Sequence, residues 1–86
     1  MTEAEVRAAI FRALAGVAPE VEPDTIDPKA SLRDQIDIDS MDFLNFVIAI
    51  SKQLSVAIPE ADYGKVTTLA KCAGYVTRLK AAPAPH

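Results

Sequence analysis

Asp37-Ile38-Asp39-Ser40-Met41-Asp42-Phe43-Leu44-Asn45-Phe46-Val47-Ile48-Ala49-Ile50-Ser51-Lys52-Gln53-Leu54 is the most strongly patterned stretch of the chain. The spacing predicts a helix over 41–54, with Asp39 as its N-cap and Asp42 in the position of a capping box's second member. At about 100° per residue, Phe43, Phe46, Val47, Ile50 and Leu54 share one side and form the expected core face. Met41, Leu44 and Ile48 lie within about 60° of one another on the other side, alongside Asn45, Ser51 and Lys52. A helix that is apolar on two faces is either buried or binds something. Met41, Leu44 and Ile48 are therefore an exposed strip for a partner, or else residues packed beneath a loop.

Upstream, residues 18–39 make a long connection with Pro23, Pro28, many acids and sparse apolar residues. No strand alternation lasts, and structureless loops this long are rare in compact domains, so short helical turns or a function are expected there. Ile26, Leu32 and Ile36 are the expected pegs to the core. Before it, Thr2 to Val17 is a predicted helix, with Thr2 and Glu5 at capping-box spacing and Val6, Ala9, Ile10, Ala13, Leu14 and Val17 on one face. Phe11 falls off that stripe and is expected to cover a loop; Gly16 and Pro19 end the element. Downstream, Pro59 ends a short extended stretch, Glu60 to Lys65 makes one or two turns before Gly64 breaks them, and Thr67 or Thr68 caps a last helix to about Lys80. Leu69, Cys72, Tyr75, Val76 and Leu79 form its stripe. The expected fold is all-α: a small bundle of three main helices plus one short helix, with a long loop between the first and second. Residues 1–80 make the domain, and 81–86 a disordered tail.

At 86 residues and 9.2 kDa the chain is one small domain. Half the residues are apolar, which suffices for a core and argues against disorder. The single cysteine, Cys72, excludes an internal disulfide, and with one terminal histidine a Cys/His metal site is excluded too. The same scarcity argues against an enzyme. The longest gap between charges, Asp42 to Lys52, is too short to span a bilayer, so no membrane insertion is expected. The acidic N-terminus is unlike a signal peptide, and Cys72 fits a small buried hydrophobe in a reducing compartment, so a cytoplasmic monomer is expected. Charge is unevenly spread. Ala18 to Asp42 holds eight acids against Lys29 and Arg33, a local balance of −6, while Phe43 onward holds Glu60 and Asp62 against five bases, a balance of +3. The acidic run is either a solvated loop or a surface that attracts basic protein partners and repels nucleic acid.

Ser40 alone among the four serines sits between acids at a helix start. It lacks a neighbouring base and cannot be an activated nucleophile. Asp37, Asp39 and Asp42 miss the spacing of a calcium loop, and no glycine makes its turn. Two readings are left: a helix cap, or a hydroxyl acted on by another enzyme. A helix N-terminus, with free N–H groups and a positive dipole end, tolerates a phosphate ester well.

The run Asp39-Ser40-Met41, the apolar helix after it, Ile58-Pro59 and Thr67-Thr68-Leu69 resemble the acyl carrier proteins, whose central motif is Asp-Ser-Leu. The resemblance covers roughly Thr2 to Leu79. It implies that Ser40 carries 4'-phosphopantetheine, attached from coenzyme A by a phosphopantetheinyl transferase, and that the prosthetic thiol bears acyl groups as thioesters. It further implies acyl-loading and acyl-transferring partner enzymes of a fatty-acid, polyketide or related specialised pathway. Asp39 and Asp42 fall where the family places partner-facing carboxylates, and Met41 replaces the usual leucine. Asp37 stands where the family commonly has glycine, and Asn45, Ser51 and Lys52 stand where acids are usual. These departures point to a carrier specialised for one pathway. The alternatives are a free-standing aminoacyl or peptidyl carrier, which Asp39 disfavours, and an unmodified helical adaptor in which Ser40 is only a cap.

Overall fold

The computed structural model describes residues 2–81. Helix α1 runs Glu3–Val17 and opens as its spacing predicts. The Glu5 N–H donates to the Thr2 hydroxyl, and the Thr2 N–H donates to the Glu5 carboxylate, both at 3.2 Å. The bond from the Thr2 backbone is the main reason that the Glu5 carboxyl lies below its usual range. Val6, Ala9, Ile10, Ala13 and Leu14 are buried, while Val17 is half-buried.

The long connection contains helical turns. A 3-10 turn occupies Pro23–Thr25, and a four-residue helix, α2, spans Leu32–Gln35. Gln35 fastens the connection: its amide oxygen accepts from the Asp27 N–H at 2.8 Å, and its nitrogen donates to the Asp27 and Ala30 carbonyls at 2.8 and 3.1 Å. Of the three expected pegs, Ile26 and Leu32 are buried, but Ile36 is only half-buried. Ile38 is the third buried peg. The backbone is extended at Ile36, and side chains two apart share a face only in a regular strand, which this stretch is not.

Helix α3 runs Ser40–Leu54, one residue longer at its start than the spacing predicts. Phe46, Val47, Ile50 and Leu54 are buried. Phe43, expected in the core, is instead half-buried: its ring leans on Phe46 at 6.2 Å and meets the edge of Tyr63 at 6.4 Å, at the margin of the core. The expected short helix is a 3-10 segment over Glu60–Lys65, and Gly64 lies inside it without breaking it.

Helix α4 spans Leu69–Ala81. Thr68 is its cap: the Lys71 N–H donates to the Thr68 hydroxyl at 3.0 Å. Leu69, Cys72, Tyr75 and Val76 are buried, but Leu79 is 36% exposed. Thr77 to Lys80 are all exposed, because the last turn of α4 runs past the core. Ala81 closes the helix instead of opening a tail, and 82–86 lie outside the described residues. Burial pushes the Cys72 thiol up to about 12, so it is an inert packing group.

Backbone bonds join the connection to α4: the Leu32 N–H donates to the Thr67 carbonyl and the Ala70 N–H to the Pro28 carbonyl, both at 2.9 Å. Lys80 Nζ donates to the Leu54 carbonyl at 2.9 Å, and Arg12 Nε to Gln53 Oε1 at 3.0 Å. These bonds hold the end of α3 between the other two long helices. Among the described residues no buried side-chain nitrogen or oxygen lacks a partner.

Candidate functional site

The start of α3 is built by two aspartates. The Asp42 N–H donates to Asp39 Oδ1 at 2.9 Å, and the Asp39 N–H donates to Asp42 Oδ2 at 3.3 Å, completing the capping box. The Phe43 N–H donates to the Asp39 carbonyl at 3.0 Å. Ser40 is thus the first helical residue and not the cap. It is exposed, and the capping bonds leave its hydroxyl out. Of the orphan donors that every helix start presents, the capping box takes those of Asp39 and Asp42, which leaves the N–H groups of Ser40 and Met41. They stand at the positive end of the α3 dipole. Buried Ile38 on one side and buried Phe46 on the other fix the backbone that carries the serine.

The surroundings are acidic. Asp34, Asp37 and Asp39 are exposed and Asp42 is half-buried. Among the described residues no group of three or more His, Cys, Asp or Glu could hold a metal ion. No described helix is long and apolar enough to cross a membrane.

Beyond Ser40, Met41 is 63% and Ile48 41% exposed, so both stand on the open side of α3. Leu44, the third member of the expected strip, is half-buried. Asn45 and Lys52 are exposed, whereas Ser51 turns back and donates to the Val47 carbonyl at 2.9 Å. No member of the strip is packed beneath the long connection to the point of burial. A second tie steadies this end of the bundle: the Tyr75 hydroxyl donates to Asp62 Oδ2 at 2.6 Å.

Sequence reasoning missed two structural residues here. Ile38 has no periodic partner, and Gln35 acts through bonds to a segment eight residues away. Its only signal is one long polar side chain placed next to an apolar turn.

A protein-family model described as the phosphopantetheine attachment site matches residues 8–76. The acyl carrier protein AcpXL of Rhizobium etli is 37% identical over 76 residues, covering 76% of this chain and 83% of that protein. The chain belongs to the acyl carrier protein family. Another member, from Zymomonas mobilis, is 33% identical over 61 residues, covering 71% of this chain and 78% of that one. AcpXL of Rhizobium meliloti is 40% identical over 55 residues, and there this chain spans only 58% of the relative's length. Acyl carrier proteins are carriers and not catalysts, and phosphopantetheine is the prosthetic group for which the family model is described.

Proposed function

We propose that Ser40 carries 4'-phosphopantetheine, transferred from coenzyme A by a phosphopantetheinyl transferase. On this reading the protein holds acyl groups as thioesters and presents them to acyl-loading and acyl-transferring enzymes of a fatty-acid, polyketide or related specialised pathway in the cytoplasm. The observation that carries the reading is the division of labour at the start of α3. Asp39 and Asp42 make the cap, so the exposed Ser40 hydroxyl has no structural duty there. A phosphate ester fits this position: two N–H groups and the positive dipole end face it. When bound, the group supplies a flexible arm ending in a thiol. The chain supplies the rest: a fixed backbone under Ser40, carboxylates that orient an approaching basic enzyme, and the Met41, Leu44 and Ile48 strip for apolar contact. Against the adaptor reading stand the phosphopantetheine-attachment match over residues 8–76 and the N-cap role of Asp39, which leaves the Ser40 hydroxyl without a capping duty.

The test is intact mass after incubation with coenzyme A and a phosphopantetheinyl transferase. The wild-type chain gains one phosphopantetheinyl group, and Ser40→Ala gains none. Because Ser40 makes no capping bond, Ser40→Ala also unfolds within about 0.5 kcal/mol of wild type. Modification that survives in Ser40→Ala, or that maps to Ser31, overturns the assignment.

A further inference from the structure

A cleft of about 570 Å³ opens between α1 and α4, a size within the roughly 300–1,000 Å³ of small-molecule sites. Ser40 and the α3 strip do not line it. Its wall is apolar: Ile10, Phe11, Pro28, Leu69 and Ala73. Ile10 and Leu69 are core residues showing one edge, and Phe11 is half-buried. A large aromatic off the buried stripe of α1 is thereby accounted for.

The mouth is cationic. Arg7 enters from α1 and Arg78 from α4. The Arg78 guanidinium lies back over Gly74, where a Cβ would come within 3.4 Å of its Nη1. That places it on the ridge shared with a smaller polar depression of about 260 Å³, which Lys65 and Lys71 also line. Glu3 stands at the same mouth, yet the one ion pair among the described residues joins Lys65 to Asp62 at 3.3 Å. Arg7 and Arg78, neither in an ion pair among the described residues, outnumber Glu3 in the lining of this apolar trough, which suits a ligand with an anionic head and a hydrocarbon body.

We propose that the α1–α4 cleft binds a single-chain anionic amphiphile, its chain against Phe11, Leu69 and Ala73 and its carboxylate or phosphate at Arg7 and Arg78. The site is independent of any modification of Ser40, so the test uses the full chain with Ser40 unmodified. Isotope-labelled protein is titrated by NMR with decanoate, decyl phosphate and, as the neutral control, 1-decanol, each below its micellar concentration. Amide shifts should centre on Phe11, Ala73 and Gly74, with the tighter of the two anions identifying the head group. Arg7→Gln with Arg78→Gln, both exposed and so neutral to folding, should weaken the anions by roughly fivefold or more and leave 1-decanol unchanged. Thr77→Trp, an exposed residue at the mouth, should block all three. Shifts centred on Ser40, Ile48 or Phe46 overturn the proposal. So do anion affinities that ignore the double variant, or binding seen only with anionic phospholipid vesicles.

Discussion

Ser55 ends α3 in a left-handed conformation, φ 53° and ψ 47°. A Cβ there costs about 1 kcal/mol, which glycine avoids at the expense of a more flexible unfolded chain. Ser55→Gly is therefore expected to stabilise the protein by a few tenths to about 1 kcal/mol, measured by urea unfolding. The bond between Tyr75 and Asp62 gives a pH signature. The Tyr75 hydroxyl, then Lys65, hold the Asp62 carboxyl below its usual range. Burial, then the bond to Asp62, push Tyr75 up to about 12. A lowered carboxyl pKa adds stability that is present above the unfolded value, about 3.9, and lost as pH falls through the folded one. A raised phenol pKa adds stability that is present below about 10 and lost as pH rises through about 12. Tyr75→Phe should flatten both limbs of the stability–pH curve, and the Asp62 carboxyl should titrate closer to its usual range by NMR. An unmoved Asp62 titration would show that Lys65 alone holds it.

At the scale of elements, α3 has a core side, a capped start and an open side. The open side predicts how partners bind. Exposed ion pairs contribute roughly 0–1 kcal/mol each, while burying a Met or Ile side chain contributes about 1.5–3 kcal/mol. Asp39 at the N-cap and Asp42 in the first turn are the acids at its start, and farther along Asn45 is neutral and Lys52 positive. Apolar burial should dominate affinity, with the acids steering encounter. Ile48→Ala is expected to weaken binding to a cognate enzyme more than Asp42→Asn does. The comparison is fair because asparagine keeps an acceptor oxygen for the Asp39 N–H. A titration with both variants across a salt series checks it. Steep salt dependence with a silent Ile48→Ala would reverse the ranking.

For the molecule as a whole, one core serves every helix. Phe46 is fully buried at its centre, so Phe46→Ala should cost about 3–5 kcal/mol. In a domain whose total stability is roughly 5–8 kcal/mol, little folded margin is left, and thermal unfolding should show a much lower midpoint. A shift of only a few degrees would mean that the neighbours collapse into the space. Charge is also divided at this scale. Acids gather in the connection and at the start of α3, whereas α4 carries Lys71, Arg78 and Lys80 and no acid.

Both capping boxes were legible in the sequence, because Thr2 with Glu5 and Asp39 with Asp42 act across three residues and need nothing else in the fold. The apolar periods of the three long helices were legible for the same local reason, and so was the singular position of Ser40. The placing of Phe43 and Leu79 was not. Periodicity says which side chains share a face, but the neighbouring elements decide how much of that face they cover. The choice of Thr68 over Thr67 as cap depended on the turn that delivers α4, and the buried Ile38 on the path of an irregular segment. Only tertiary structure brought Arg7 and Phe11 of α1 opposite Leu69 and Arg78 of α4. Those pairs lie some sixty or seventy residues apart in the chain, and no local rule joins them.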